Sequence, residues 1–237
     1  MNARRAFQFL LSTIALFCIC ANDARADSFD IVHGPIARTQ DDVDFRATVY
    51  VTHAAGDGVQ YVGAGVIVAT DGRAMTVLTA SHVIDGAAMQ IYFSDGLMGR
   101  VTSVKEDAQS DLAIVAVIGD HAYDAVALSN AAPVAGAPYT LIGHPDDYPY
   151  VRSRVDFKYD DDGALAVKCI CSFGDSGAGI FSPDHRLMGV AISLAQSKAG
   201  DVYLLAPGVA KIRHFIQRVD PRLALLLDGS STVLRSS

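Results

Sequence analysis

The chain has 237 residues, of which 51% are hydrophobic and 19% charged, and it carries a net charge of −7. That apolar content suffices for a sizeable core and excludes a disordered chain. The acidic balance, with no block of Lys or Arg outside the first residues, argues against a nucleic-acid partner.

Arg4 and Arg5 precede an apolar stretch from Phe9 to Ala21, and the small-x-small pattern Ala24-Arg25-Ala26 follows it. Residues 1–26 therefore read as a signal peptide, with the mature chain beginning at Asp27. Asn22, Asp23 and Arg25 cut the apolar run short of the about 20 residues a spanning helix needs, so no stable membrane anchor is expected in the mature form. Both the periplasm and the extracellular space fit such a leader. Arg4-Arg5-Ala6-Phe7 resembles a twin-arginine signal, although two basic residues suit any export route.

From Phe45 onward the chain is a series of short alternating or apolar runs rich in Val, Ile, Thr and Tyr, which is a β pattern. The runs are Phe45–His53, Tyr61–Ala69, Met75–Ala80, Met89–Phe93, Arg100–Lys105 and Leu112–Val117, with turn signals at Asp57-Gly58, Asp71-Gly72 and Asp95-Gly96. These make a first unit over residues 27–130. The stretch Ser129–Pro138, with Pro133, Gly136 and Pro138, reads as a connector. A second unit over residues 131–237 holds the runs Tyr139–Gly143, Val151–Phe157, Ala164–Ile170, Gly177–Phe181, Leu187–Ser193 and Val202–Leu205. Beyond Pro207, the helical spacing of Val209, Ile212, Phe215, Ile216 and Val219 predicts a terminal helix packed back on this second unit. The expected fold is all-β: two antiparallel six-stranded β-barrels and a C-terminal α-helix, closure being one way to remove exposed strand edges.

Only Cys169 and Cys171 lie beyond the leader. On a strand their Cα atoms would be about 6.6 Å apart, near the limit for a disulfide, so the pair reads as two small buried thiols, with a strained bridge as the alternative. No second ligand pair follows at a useful spacing for zinc. Asp160-Asp161-Asp162-Gly163 lacks the alternating ligands of a calcium loop and reads as a solvated turn.

The chemistry lies in three segments. Ser176 stands at a glycine-flanked bend, Gly174-Asp175-Ser176-Gly177. A serine hydroxyl is a poor nucleophile at neutral pH and needs a base, which in turn needs an orienting carboxylate. His82, in Leu78-Thr79-Ala80-Ser81-His82, and Asp111, in Ser110-Asp111-Leu112-Ala113, supply both types. The amides of Gly174 and Ser176 can point at one spot where an oxyanion develops, and such donors are worth about 10²–10³ in rate each. The order His, Asp, Ser differs from an α/β-hydrolase, where the nucleophile comes first. His33, His53, His121, His144, His185 and His214 have no comparable context.

These three blocks resemble those of the trypsin-like (chymotrypsin-fold) serine peptidases over roughly Phe45 to Ile216, and their compact spacing is most similar to bacterial HtrA-type peptidases without a PDZ domain. The resemblance implies a serine endopeptidase acting on a protein or peptide, with His82, Asp111 and Ser176 catalytic, Gly174 and Ser176 forming the oxyanion hole, and no metal or cofactor. It places Ile170 at the base of the substrate pocket and Ser193, Leu194 and Ala195 along its side, which implies cleavage after small or aliphatic residues. Asp201 reaches that pocket in one strand register, favouring Arg or Lys, and stays outside it in another.

In family members that mature by cleavage, the carboxylate at the place of Asp175 pairs with a new N-terminal ammonium. Ile31-Val32-His33-Gly34 resembles such an N-terminus, so the resemblance implies either a second trimming before Ile31 or another partner for Asp175. The competing function is a catalytically silent trypsin-like fold that acts as a binding protein.

Overall fold

The computed structural model describes residues 30–31, 43–54, 60–84, 89–161, 163–169, 171–197 and 200–228. The signal-peptide reading and the pocket assignment of Ile170 lie outside them.

The described residues start with a two-residue strand β1 (Asp30–Ile31) and a short helix α1 (Val43–Ala47), then build the first unit from β2 (Thr48–Ala54), β3 (Gln60–Asp71), β4 (Ala74–Ala80), β5 (Gln90–Tyr92), β6 (Met98–Asp107) and β7 (Leu112–Ile118). These six close into a barrel in the order β2-β3-β4-β7-β6-β5. Alternation explains the closure: Val49 and Val51 of β2, Ile67 of β3, Val77 of β4, Ile91 of β5 and Val115 of β7 are wholly buried and fill the inside together with Phe93. Each such side chain contributes about 1.5–3 kcal/mol relative to exposure. Phe45 belongs to α1, and the first strand of the barrel begins at Thr48.

The second unit holds β8 (Tyr139–Gly143), β9 (Val151–Asp161), β10 (Ala164–Lys168), β11 (Gly179–Phe181), β12 (Leu187–Val190), β13 (Ser193–Gln196) and β14 (Val202–Pro207). Their order is β12-β11-β8-β9-β10-β14-β13, a curved sheet that wraps half-way round a core of Leu141, Val155, Leu165, Val167, Ile180 and Leu204. The run Leu187–Ser193 is two strands, because the chain changes partner midway: β12 pairs with β11 and β13 pairs with β14. At the crossing, Ala191 N–H donates to Ala178 O at 2.8 Å and Ile192 N–H to Leu205 O at 3.0 Å.

Helix α2 (Val209–Val219) buries Ile212, Phe215 and Ile216, as its spacing predicts. It touches β12 and β14 of the second unit and also β6 and β7 of the barrel, so it spans the two units instead of packing on the second alone. A second helix, α3 (Pro221–Leu227), follows without a loop; Asp220 caps it by accepting from Leu223 N–H at 3.1 Å. Lys105 of β6 reaches Asp220 at 2.8 Å, fixing the junction of both helices to the barrel. Among the described residues no helix is long and apolar enough to cross a membrane.

Cys169 and Cys171 form a disulfide, not two thiols. Strand β10 ends at Lys168, and beyond it the Cα atoms of the two cysteines are only 5.5 Å apart, inside the range a bridge requires.

Candidate active site

Ladder pairing brings the first two site residues together. Strands β4 and β7 are antiparallel neighbours with Ala80 opposite Leu112, so the residues just beyond, Ser81-His82 and Asp111, meet at the barrel rim. Ser81 N–H donates to Asp111 O at 3.0 Å. Asp111 itself has φ 51, a left-handed conformation that Asp tolerates better than most residues. This turns its carboxylate toward His82, whose backbone N–H donates to Oδ1 at 3.0 Å and whose Nδ1–H donates to Oδ2 at 2.8 Å. With Nδ1 protonated, Nε2 is left as an acceptor, and Ser176 Oγ lies 2.8 Å from it. The imidazole side chain is 45% exposed, so the group opens onto solvent and is reachable by a large substrate.

Ser176 comes from the second unit and is held by the first. Its carbonyl accepts from Ala64 N–H of β3 at 2.7 Å, while Gly177 N–H donates to Ala191 O at 2.7 Å. Both neighbouring glycines are obligatory. Gly177 has φ 83 and a Cβ there would sit 2.0 Å from Ala64 O; Gly174 has φ 97 and a Cβ there would sit 2.1 Å from His144 O.

The orientation of the Phe173–Gly174 peptide decides whether Gly174 can serve an oxyanion. Phe173 O accepts from Asp146 N–H at 2.7 Å. In a planar trans peptide the N–H points opposite to the carbonyl, so Gly174 N–H is turned away from Asp146. Among the described residues neither Gly174 N–H nor Ser176 N–H is committed to another acceptor. A second bond, from Ser172 Oγ to Asp146 Oδ1, clasps the same two segments.

The loop that presents Asp146 is anchored by His144, a residue with no local signal that would single it out. Its ring is wholly buried; Nδ1 accepts from Tyr150 N–H at 2.9 Å and Nε2–H donates to Val49 O of the barrel at 3.2 Å. Burial pushes its pKa down to about 3, so it is a neutral structural staple. Between its two ends the loop holds three left-handed residues, Asp146 (φ 50), Asp147 (φ 67) and Tyr150 (φ 58). The last is costly for a bulky side chain and persists because its surroundings impose it.

Asp175 is only 2% exposed. Its Oδ2 accepts from Ser172 N–H at 2.9 Å, and its Oδ1 has no hydrogen-bond partner among the described residues. Burial pushes its pKa up to about 7, with Asp146 adding like charge and the Ser172 amide, then the His144 amide, pulling the other way. Ile31 lies in β1 opposite Val151, which is itself opposite Gly143, against whose Cα Asp175 Oδ1 rests. Ile31 is thus a ladder residue two strands from the carboxylate.

The remaining site expectations are scattered more loosely. Ser193, Leu194 and Ala195 lie on β13, which begins two residues after Ala191 and is bonded only to β14 among the described residues, leaving one edge open beside Ser176. Leu194 is 49% exposed. Asp201 precedes β14 and its carboxylate turns toward Lys168 at 3.9 Å.

The description "trypsin-like peptidase domain" fits residues 63–190, more than half of the chain. No curated protein matches the sequence. Among solved structures, the serine endoprotease from Yersinia pestis is similar with a TM-score of 0.65 and 19% identity, covering 75% of this chain and 64% of that one, so this chain spans less than two thirds of its length. The active form of the Rv3671c protease from M. tuberculosis gives 0.64 and 16%, covering 75% and 82%. An inactive form of the Rv3671c protease gives 0.60 and 17%, covering 75% and 90%. At these identities the likeness concerns the fold.

Proposed function

Because the chain belongs to the trypsin-like peptidase family, we propose that it is an exported serine endopeptidase that hydrolyses peptide bonds through Ser176, His82 and Asp111. One observation carries this reading: His82 lies 2.8 Å from Asp111 Oδ2 through one ring nitrogen and 2.8 Å from Ser176 Oγ through the other. Nε2 takes the hydroxyl proton as Oγ attacks the carbonyl carbon, and Asp111 stabilises the imidazolium that forms. Gly174 and Ser176 N–H hold the developing oxyanion. The imidazolium then gives its proton to the leaving amine, and water, deprotonated by the same ring, releases the acyl group. These steps use only protein groups and water.

The open edge of β13 suits an extended peptide on the acyl side, and Ser193, Leu194 and Ala195 present small or aliphatic surface there. With Asp201 turned to Lys168, cleavage after small or aliphatic residues is the specificity we assign. Export rests on residues 1–26 read as a leader.

The test is a fluorophosphonate label on the purified protein together with peptide hydrolysis. Wild type labels on Ser176 and hydrolyses; Ser176→Ala keeps its melting temperature and retains only residual turnover. Full hydrolysis by Ser176→Ala would sink the assignment.

A further inference from the structure

A row of residues runs from the nucleophile across the outside of the barrel. Ala64, whose amide holds Ser176 O, is paired with Tyr50 of β2, and Tyr50 is paired with Tyr92 of β5. Directly paired residues point to the same side of a sheet, so the Tyr50 and Tyr92 rings share the outer face with Ala64, which packs in the second unit's core. At about 4.8 Å per strand, Tyr92 lies about 10 Å beyond Ala64, a span of three to four residues of extended peptide counted from Ser176.

The row ends in a groove of about 370 Å³, lined by Tyr50, Tyr92 and Phe93 on the barrel side and by Asp147, Pro149 and Tyr150 on the other. Its walls are fixed. Tyr150 O–H donates to Tyr92 O at 3.3 Å, and the buried His144 ring meets the Tyr50 ring at 4.6 Å and the Tyr150 ring at 4.8 Å, both edge to face. Its charge has one sign. Asp147 is exposed and has no ion-pair partner among the described residues, and the Tyr50 hydroxyl is raised by burial and then by the Asp147 charge. Asp95 acts on the Tyr150 hydroxyl in the same sense, after burial. No Lys or Arg lines the groove. Aromatic faces beside an unpaired carboxylate attract an organic cation and disfavour an anion.

The direction follows from β13. Its open edge adjoins Ser176 through Ala191, on the opposite side from Ala64, so the acyl part of a substrate runs along β13 and the leaving part runs toward the groove. We propose that this groove is a second recognition site, which takes a Lys or Arg side chain three to four residues beyond the scissile bond in a polypeptide substrate. The proposal rests on the peptidase reading above for the direction of the chain.

The experiment compares peptides that differ only at the third and fourth residues after the cleaved bond, carrying Lys, norleucine or Glu. With wild type, the Lys peptide is expected to exceed the norleucine peptide in kcat/KM by about 5- to 30-fold, with Glu below both. In Asp147→Asn, which keeps a residue tolerant of positive φ, the Lys-to-norleucine ratio falls below about threefold. Anisotropy titration of the same peptides, fluorescently labelled, onto Ser176→Ala reads binding without turnover, and the Lys preference and its loss in Asp147→Asn persist there. If wild type cleaves nothing while this binding preference holds, the peptidase reading fails and the groove stands. Equal binding of all three peptides, a norleucine preference, or a Lys preference untouched by Asp147→Asn overturns the groove assignment.

Discussion

The carbonyl oxygen of His144 and the Cα of Gly174 pack so closely that a Cβ on Gly174 would stand 2.1 Å from that oxygen. One loop of the second unit is therefore moulded against the segment that carries a proposed oxyanion donor. Gly174→Ala forces the Phe173–Gly174 peptide to turn, and kcat should fall by about 10²–10³, the worth of one such donor. Steady-state kinetics with a chromogenic peptide measures this; an unchanged kcat would show that Gly174 N–H plays no part.

The clasp between Ser172 Oγ and Asp146 Oδ1 lies at the surface, so its loss should cost little stability but loosen the same peptide. For Ser172→Ala the expected outcome is a kcat about 3- to 10-fold lower with KM within a factor of two. Affinity for a peptide boronate, whose tetrahedral adduct uses the donor pair, should fall in parallel. A loss confined to KM would place Ser172 in substrate binding instead.

His144 and Asp175 titrate against each other. Asp175 has a folded pKa of about 7, raised from 3.8, so the stability it contributes is present below pH 3.8 and is lost as pH rises through 7. For His144 the folded value is about 3, lowered from 6.5, so its contribution is present above pH 6.5 and is lost as pH falls through 3. Each amounts to at most about 4–5 kcal/mol, and between about pH 4 and 6.5 they cancel. Wild type should show a nearly flat melting temperature across that interval. In Asp175→Asn the melting temperature should rise with pH, and in His144→Gln it should fall. Thermal melts at pH 4.5, 5.5 and 6.5 decide; parallel slopes in both variants would contradict the opposition.

The Cys169–Cys171 bridge closes a loop with a sequence separation of only 2. Loop-closure entropy for so small a ring gives about 1.5 kcal/mol, so Cys169→Ser with Cys171→Ser should lower the melting temperature by a few degrees at most. Melts with and without a reducing agent give the same comparison. A loss above about 4 kcal/mol would mean that the bridge also holds the neighbouring Ser172–Asp175 turn in place.

Much of the molecule was legible because its signals are local. Alternating Val, Ile and Thr places β2, β3, β4, β6 and β7 within a few residues, the same argument finds β8 and β14, and helical spacing finds α2. His82, Asp111 and Ser176 stood out because their chemistry is meaningful only jointly, and the structure brings them within 2.8 Å contacts. What escaped depends on partners far along the chain. The break between β12 and β13 exists because Ala178 and Leu205 take over the backbone bonds, and no local pattern marks that exchange. The disulfide differs from the expected pair of thiols because β10 ends at Lys168, which frees the two cysteines from strand spacing. Helix α3 did carry a signal, Asp220 before Pro221, but Leu225 and Leu226 remain 59% and 58% exposed, so it lacks the apolar stripe that reveals α2. His144 could not be read at all, since its role comes from Val49 and Tyr150 on either side.

The bond from Ala64 N–H to Ser176 O joins the proposed nucleophile of one half to the wall of the other. The proposed catalysis is thereby made a gauge of how the halves are seated. A lesion that lets them drift by an ångström, with both cores still packed, moves Oγ off the imidazole borne by the opposite half, so hydrolysis should fail well before either half begins to melt.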